Sequence, residues 1–133
     1  MINRAVVTAF VAFCLLGISV PLLAHHSFAA VFDVNTSVEL SGTVTDVEWM
    51  NPHAWIHVDV ENDDGDIERW SFELGSPNGL ARRGWSRATI QPGDVISVSG
   101  YRARDGSQRA NVIGVTLASG QRLDGMSSRP RAE

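Results

Sequence analysis

Lysine is absent from this chain, and cysteine occurs once. All eleven basic residues are arginine. Arginine and lysine differ most at bidentate sites, and the bias is read as genomic composition rather than a functional choice. The single cysteine, Cys14, sits inside an apolar N-terminal run. If that run is removed, the remaining chain can form no disulfide framework, no cysteine metal site and no thiol nucleophile. Catalytic signatures are missing as well. There is no GxSxG, no HExxH and no phosphate-cradling glycine loop. Ser27 beside His26 is a sequence neighbour and not a triad. Glu48 and Glu73 can act as acid or base only if the fold brings them to a pocket. No enzyme is predicted. Basic excess is also lacking, since the net charge is −4. A net-acidic domain is a poor binder of nucleic acid.

What is present starts with the run from Ala5 to Ala24 behind Arg4. One basic residue, an apolar stretch, Pro21 as breaker, then Leu22-Leu23-Ala24 describe a secretory signal peptide. Residues 1–24 are therefore expected to be removed, with the cut after Ala24, or alternatively after Leu23. The run is almost long enough to span a bilayer, so an uncleaved anchor is the competing reading. A lipoprotein is not expected, because no cysteine follows the run. The expected destination is the periplasm or the exterior, with no membrane contact after cleavage. The partner expected there is an envelope protein or a small ligand.

The rest of the chain reads as strands. An apolar patch, Phe28, Val31 and Phe32, should pack on the domain that follows. "VELSGTVTDVEW" places Val38, Leu40, Gly42 and Val44 on one face, then shifts phase to Val47 and Trp49. A phase shift near a glycine predicts a bulge that bends the strand. "AWIHVDV" alternates Ala54, Ile56, Val58 and Val60 against Trp55, His57 and Asp59. "ENDDGD" is a hairpin turn with Gly65 at its tip. "IERWSFEL" puts Trp70, Phe72 and Leu74 together. In "SPNGLARRGW", Ser76 is an N-cap and Pro77 the first residue of a short helix, with Leu80 inward. "DVISVSGYRA" and "NVIGVTLAS" are two more strands around the loop "RDGSQR". Three strands, a short helix and two strands predict an all-β domain over residues 25–124. The expected form is a small five-stranded OB-fold-like Greek-key barrel, its helix between strands 3 and 4. A small antiparallel sandwich is the alternative. The expected core is Val38, Leu40, Val44, Ile56, Val58, Val60, Phe72, Leu74, Leu80, Ile96, Val98, Ile113, Val115 and Leu117. Residues 125–133 read as a disordered tail.

Four histidines remain to be explained. A cut after Ala24 makes His25 the first residue, whose amine and ring together chelate one metal. Imidazole nitrogen suits copper and zinc. A cut after Leu23 puts His26 third, where amine, backbone nitrogens and imidazole bind copper(II). The bland alternative is a solvated processing site. His53 and His57 lie in "NPHAWIHVDV". Their spacing puts them on one strand face, about 13 Å apart at roughly 3.3 Å per residue. That separation is too great for one ion. The expected metal ligands are therefore His25, His26 and His53, for copper or zinc, with His57 excluded from that set. If His53 is structural, it bonds a loop carbonyl. If His57 is structural, it is a half-exposed residue beside Asp59 or a tryptophan.

Residues expected to face a ligand are Trp49, Asn51, Trp55 and His57, around the "NPH" loop. Aromatics on such a barrel face can stack on a ligand, or simply plug the barrel end. Trp70 and Trp85 are expected in the packing. The arginines near the helix, Arg82, Arg83 and Arg87, are expected to pair with Glu73 and Glu68. "DVENDDGD" lacks the spacing of a calcium loop and is read as a solvated acidic turn. The alternative to metal binding is an interaction module for an envelope peptide, glycan or protein.

The stretches "HHSFAAVFD", "GTVTDVEWMNPHAWIHVDV", "WSFE", "SPNGLARRGW", "PGDVISVSG" and "RDGS" together resemble a family of small exported bacterial proteins, domain of unknown function 6152. The resemblance runs from His25 to about Leu123. Its motif falls on His25, His26, Ser27 and Phe28, on Asn51, Pro52 and His53, and on Gly84, Trp85, Pro92, Gly93 and Asp94. The resemblance implies export and a small β-barrel, and assigns no activity.

Overall fold

One long strand organises the domain. In the computed structural model, which describes residues 28–127, β1 runs over Phe32–Glu48 and pairs with two different strands along its length. Ahead of it, a single turn α1 (Phe28–Val31) lays Phe28 against Phe32 and Tyr101, at ring distances of 5.4 and 5.9 Å. The expected apolar patch therefore packs as predicted. The later half of β1 pairs with β2 (Trp55–Glu61), and β2 with β3 (Ile67–Glu73). The turn between β2 and β3 is held by Asn62, whose Oδ1 accepts from the backbone of Asp64 and Asp66. Gly65 supplies the positive φ of 85° that this turn requires. A one-turn helix, α2 (Pro77–Ala81), follows. Its Ser76 Oγ accepts from Gly79 N, and Leu80 is fully buried. The chain then enters β4 (Val95–Ala103) and β5 (Arg109–Leu117).

Two pairings close the ring. β4 lies antiparallel to both β1 and β5, and β5 lies parallel to β3 through Ser71–Arg109, Phe72–Ala110 and Glu73–Asn111. The ring order is thus β1-β2-β3-β5-β4 and back to β1. This is the Greek-key closure of an OB-like barrel, with the helix between strands 3 and 4. The sandwich alternative is set aside by the closure.

The structure adds a strand the sequence reading lacked, β6 (Arg122–Asp124), paired with Gly114–Thr116 of β5. Three residues with one apolar side chain, Leu123, give too short an alternation to recognise. β3 covers only the start of that edge of β5. Gly125 N donates to Ile113 O, and β6 covers the remainder. Gly125, Met126 and Ser127 fall in the stretch expected to be a disordered tail. Instead Gly75 N donates to Gly125 O, Arg83 donates to Met126 O, and Asn111 donates to Ser127 Oγ. Residues 128–133 of that tail lie outside the described residues, as do residues 1–27 with the expected leader.

The core is centred on Phe72, Ile56, Leu74, Leu80, Ile96, Val44, Val58, Val98, Val112 and Val115, all essentially inaccessible. Val38, Leu40 and Leu117 are partly buried at its margin. Ile113 departs from expectation. The β4–β5 register slips there, from Ser99–Gly114 to Gly100–Val112. Ile113 is the extra residue and is only half-buried, while Val112 and Ala110 take the inward positions. A bulge reverses the face of every residue beyond it. Trp70 and Trp85 are buried as expected, Trp70 stacked 6.0 Å from Phe72. No helix among the described residues is long and apolar enough to cross a membrane.

Candidate functional site

The predicted bulge in β1 falls at Thr45, between the pairs Val44–Val58 and Asp46–His57. Gly42, three residues earlier, lets the two backbones meet. A Cβ there would run into the Asp59 carbonyl oxygen and Val58. Beyond the bulge, Val47 turns inward, and Asp46 and Glu48 turn outward to the face of β2 that carries Trp55 and His57. His57 is held at both nitrogens. Nδ1 lies 3.0 Å from Ser71 Oγ and Nε2 lies 2.9 Å from Glu48 Oε1. It is half-buried on the outer face, as expected, but its partners are Ser71 and Glu48 rather than Asp59 or a tryptophan. Donor atoms of Asp46, Glu48 and His57 all lie within 4.8 Å of one another.

His53 sits at the end of β2 after the exposed pair Asn51-Pro52, whose peptide bond is cis. The exchange Ala54 N to Gly75 O and Leu74 N to Ala54 O extends the β2–β3 pairing past the strand ends. It brings His53 beside Glu73, with Nδ1 2.8 Å from Oε1. The ring therefore contacts a carboxylate, not the loop carbonyl expected of a structural His53. The histidine side chain is 42% exposed and the glutamate only 12%. Burial pushes the Glu73 carboxyl above its ordinary value. The charges of His53 and Arg109 and a bond from Asn111 pull it back in part. Among the described residues, Asn111 is the one fully buried polar side chain. Its Nδ2 donates to Ser127 Oγ at 2.7 Å and to Glu73 at 3.4 Å, and its Oδ1 has no partner among the described residues.

Trp49 and Trp55 are both half-buried. With Trp85, Leu74 and Ile90 they line an apolar cavity of about 10 Å³, room for about one water molecule. The arginines do not pair as expected. Arg83 meets Asp124 at 3.1 Å, Arg87 donates to the Trp49 carbonyl at 3.4 Å, and Glu68 accepts from Trp70 and Asn62 instead. Salt bridges of this kind form where the backbone happens to place the partners, which local sequence does not encode.

The structure thus keeps His53 and His57 in separate settings, each with its own carboxylate. His25 and His26 lie outside the described residues. Asp46 was not singled out from the sequence, and Glu48 only as an acid or base awaiting a pocket. The signal was nonetheless present, because the phase shift that turns Val47 inward also turns Asp46 and Glu48 outward.

Comparison with curated proteins and with solved structures found no match. A family model described as a family of unknown function (DUF6152) matches residues 12–112. This span takes in β1 to β4, the "NPH" loop and the first part of β5, and the chain belongs to that family.

Proposed function

We propose that the exported, processed chain binds copper or zinc through His25, His26 and His53. The observation that carries this reading is the His53–Glu73 pair. A carboxylate beside Nδ1 favours the proton there and leaves the Nε2 lone pair for a metal, the arrangement usual for metal-bound histidine. Glu73 is itself held by the buried Asn111, so the ring is positioned from behind while remaining partly open in front.

Binding of a peptide, glycan or protein at Trp49 and Trp55 has less support, since the cavity between them admits little more than one water. Copper(II) titration of the chain beginning at His25 tests the proposal, alongside the N-acetylated chain and His53→Ala. Sub-micromolar binding that weakens at least tenfold, roughly the effect of losing one supporting group, in both altered proteins is expected. Affinity no tighter than micromolar overturns the reading, and an unchanged affinity in His53→Ala removes His53 from the site.

A further inference from the structure

We propose a second divalent-cation site on the flank of the barrel, formed by Asp46, Glu48 and His57. It shares no ligand with the site proposed above and does not depend on processing of the chain. Three observations converge on it. The bulge at Thr45 places Asp46 directly opposite His57, where simple alternation after Val44 would have turned it into the core. One imidazole nitrogen and two carboxylates then lie within 4.8 Å of one another. Finally, the ring of His57 is fixed from behind, since its Nδ1 bonds Ser71 Oγ on the neighbouring strand. Nε2 is thereby aimed at the two carboxylates, as a supporting hydroxyl aims a metal-bound histidine.

The donor set selects the class of ion. One nitrogen and two oxygens from side chains suit a borderline cation of the zinc type, which accepts histidine and carboxylate together. Magnesium and calcium prefer oxygen alone. Three protein ligands leave a coordination position for water or for an exogenous group. Asp46 is exposed, and its carboxylate makes no hydrogen bond or ion pair among the described residues. It can therefore turn to an ion without breaking a contact. Glu48 would exchange its 2.9 Å contact with His57 for a shared ion.

The test uses zinc(II) alone, titrated calorimetrically into the N-acetylated His53→Ala chain, which lacks the terminal amine and the His53 ring of the first site. One equivalent is expected to bind. Cobalt(II) at the same site should give the visible absorption of a low-coordinate N,O complex. In the same background His57→Ala should abolish binding. Asp46→Asn removes a charge at an exposed position and leaves the fold intact, and it should weaken zinc at least tenfold. Ser71→Ala should weaken it about tenfold through loss of ring orientation. Absence of zinc binding in the N-acetylated His53→Ala chain overturns the proposal. So does binding that is indifferent to both Asp46→Asn and His57→Ala. Neither outcome bears on the copper titration of the processed chain, so the two proposals fail separately.

Discussion

The two histidines of the described domain are built in opposite senses. At the barrel end, the carboxylate is the sheltered partner: Glu73 is 12% exposed and His53 42%. On the flank the histidine is the sheltered partner: His57 is 22% exposed and Glu48 39%. The contact distances are nearly the same, 2.8 and 2.9 Å. Distance alone would rank the pairs as equals, yet burial separates them. Glu73 belongs to a chain of groups that runs through the buried Asn111 to the half-buried Ser127 and ties β3, β5 and the C-terminal segment together. Glu48 reaches toward the surface, and among the described residues its carboxylate meets only His57. Desolvation is costly only where water has been taken away, so the first pair should matter to the fold and the second to whatever meets it from solvent.

The largest expected difference comes from removing each carboxylate. Glu73→Ala takes one acceptor from a fully buried amide that keeps only Ser127. Chemical denaturation should show a loss of about 1–2 kcal/mol, the cost of an unmet buried polar group. A loss no greater than that of Glu48→Ala would end the contrast.

A smaller effect is expected in pH. Burial holds the Glu73 carboxyl above the ordinary value of 4.5. Between that value and its raised folded value, the native state binds more proton than the unfolded chain. This contribution to stability is complete below pH 4.5 and is lost as pH rises through the folded value. Glu73→Gln should abolish that decline in a series of denaturation curves taken upward from pH 4. A decline that survives the substitution would assign it to another group.

The smallest effect is expected from Glu48→Ala. A partly exposed histidine–carboxylate contact of this kind contributes about 0–1 kcal/mol, and stability should shift by no more than about 0.5 kcal/mol. A larger loss would mean that the flank, too, is structural.

Much of the architecture was legible because it rests on local alternation. The switch from Val44 to Val47 announced the bulge, and Ser76-Pro77 announced the helix. Ring closure by β3 and β5 agreed with the order of elements, although no single strand pattern contains it. The failures are equally particular. Ile113 sits at a second bulge, where Gly114 and the step from Val112 to Val115 repeat the signal of β1, but the plain alternation of Ile113, Val115 and Leu117 masks it. β6 is too short to alternate. Asn111 is a polar residue in an apolar strand, and nothing nearby in sequence tells that Glu73 and Ser127 will satisfy it. The candidate site was half legible. His53 was chosen by its loop, but its carboxylate partner lies twenty residues away and arrives through pairing. Asp46 escapes notice, and Glu48 stands only as a possible acid or base, because the phase shift draws attention to what it turns inward.

The free edge of β5 is covered in succession by β3, by Gly125 and by β6. The first of these precedes β5 in the chain, and the other two follow it. Ring closure at Glu73–Asn111 can form as soon as β5 exists, but the stretch from Ile113 to Thr116 stays uncovered until the last residues arrive. A ring that closed before residues 122–125 were paired would leave one strip of backbone unguarded. The terminal segment, easily dismissed as a loose end, is the part that ends that exposure.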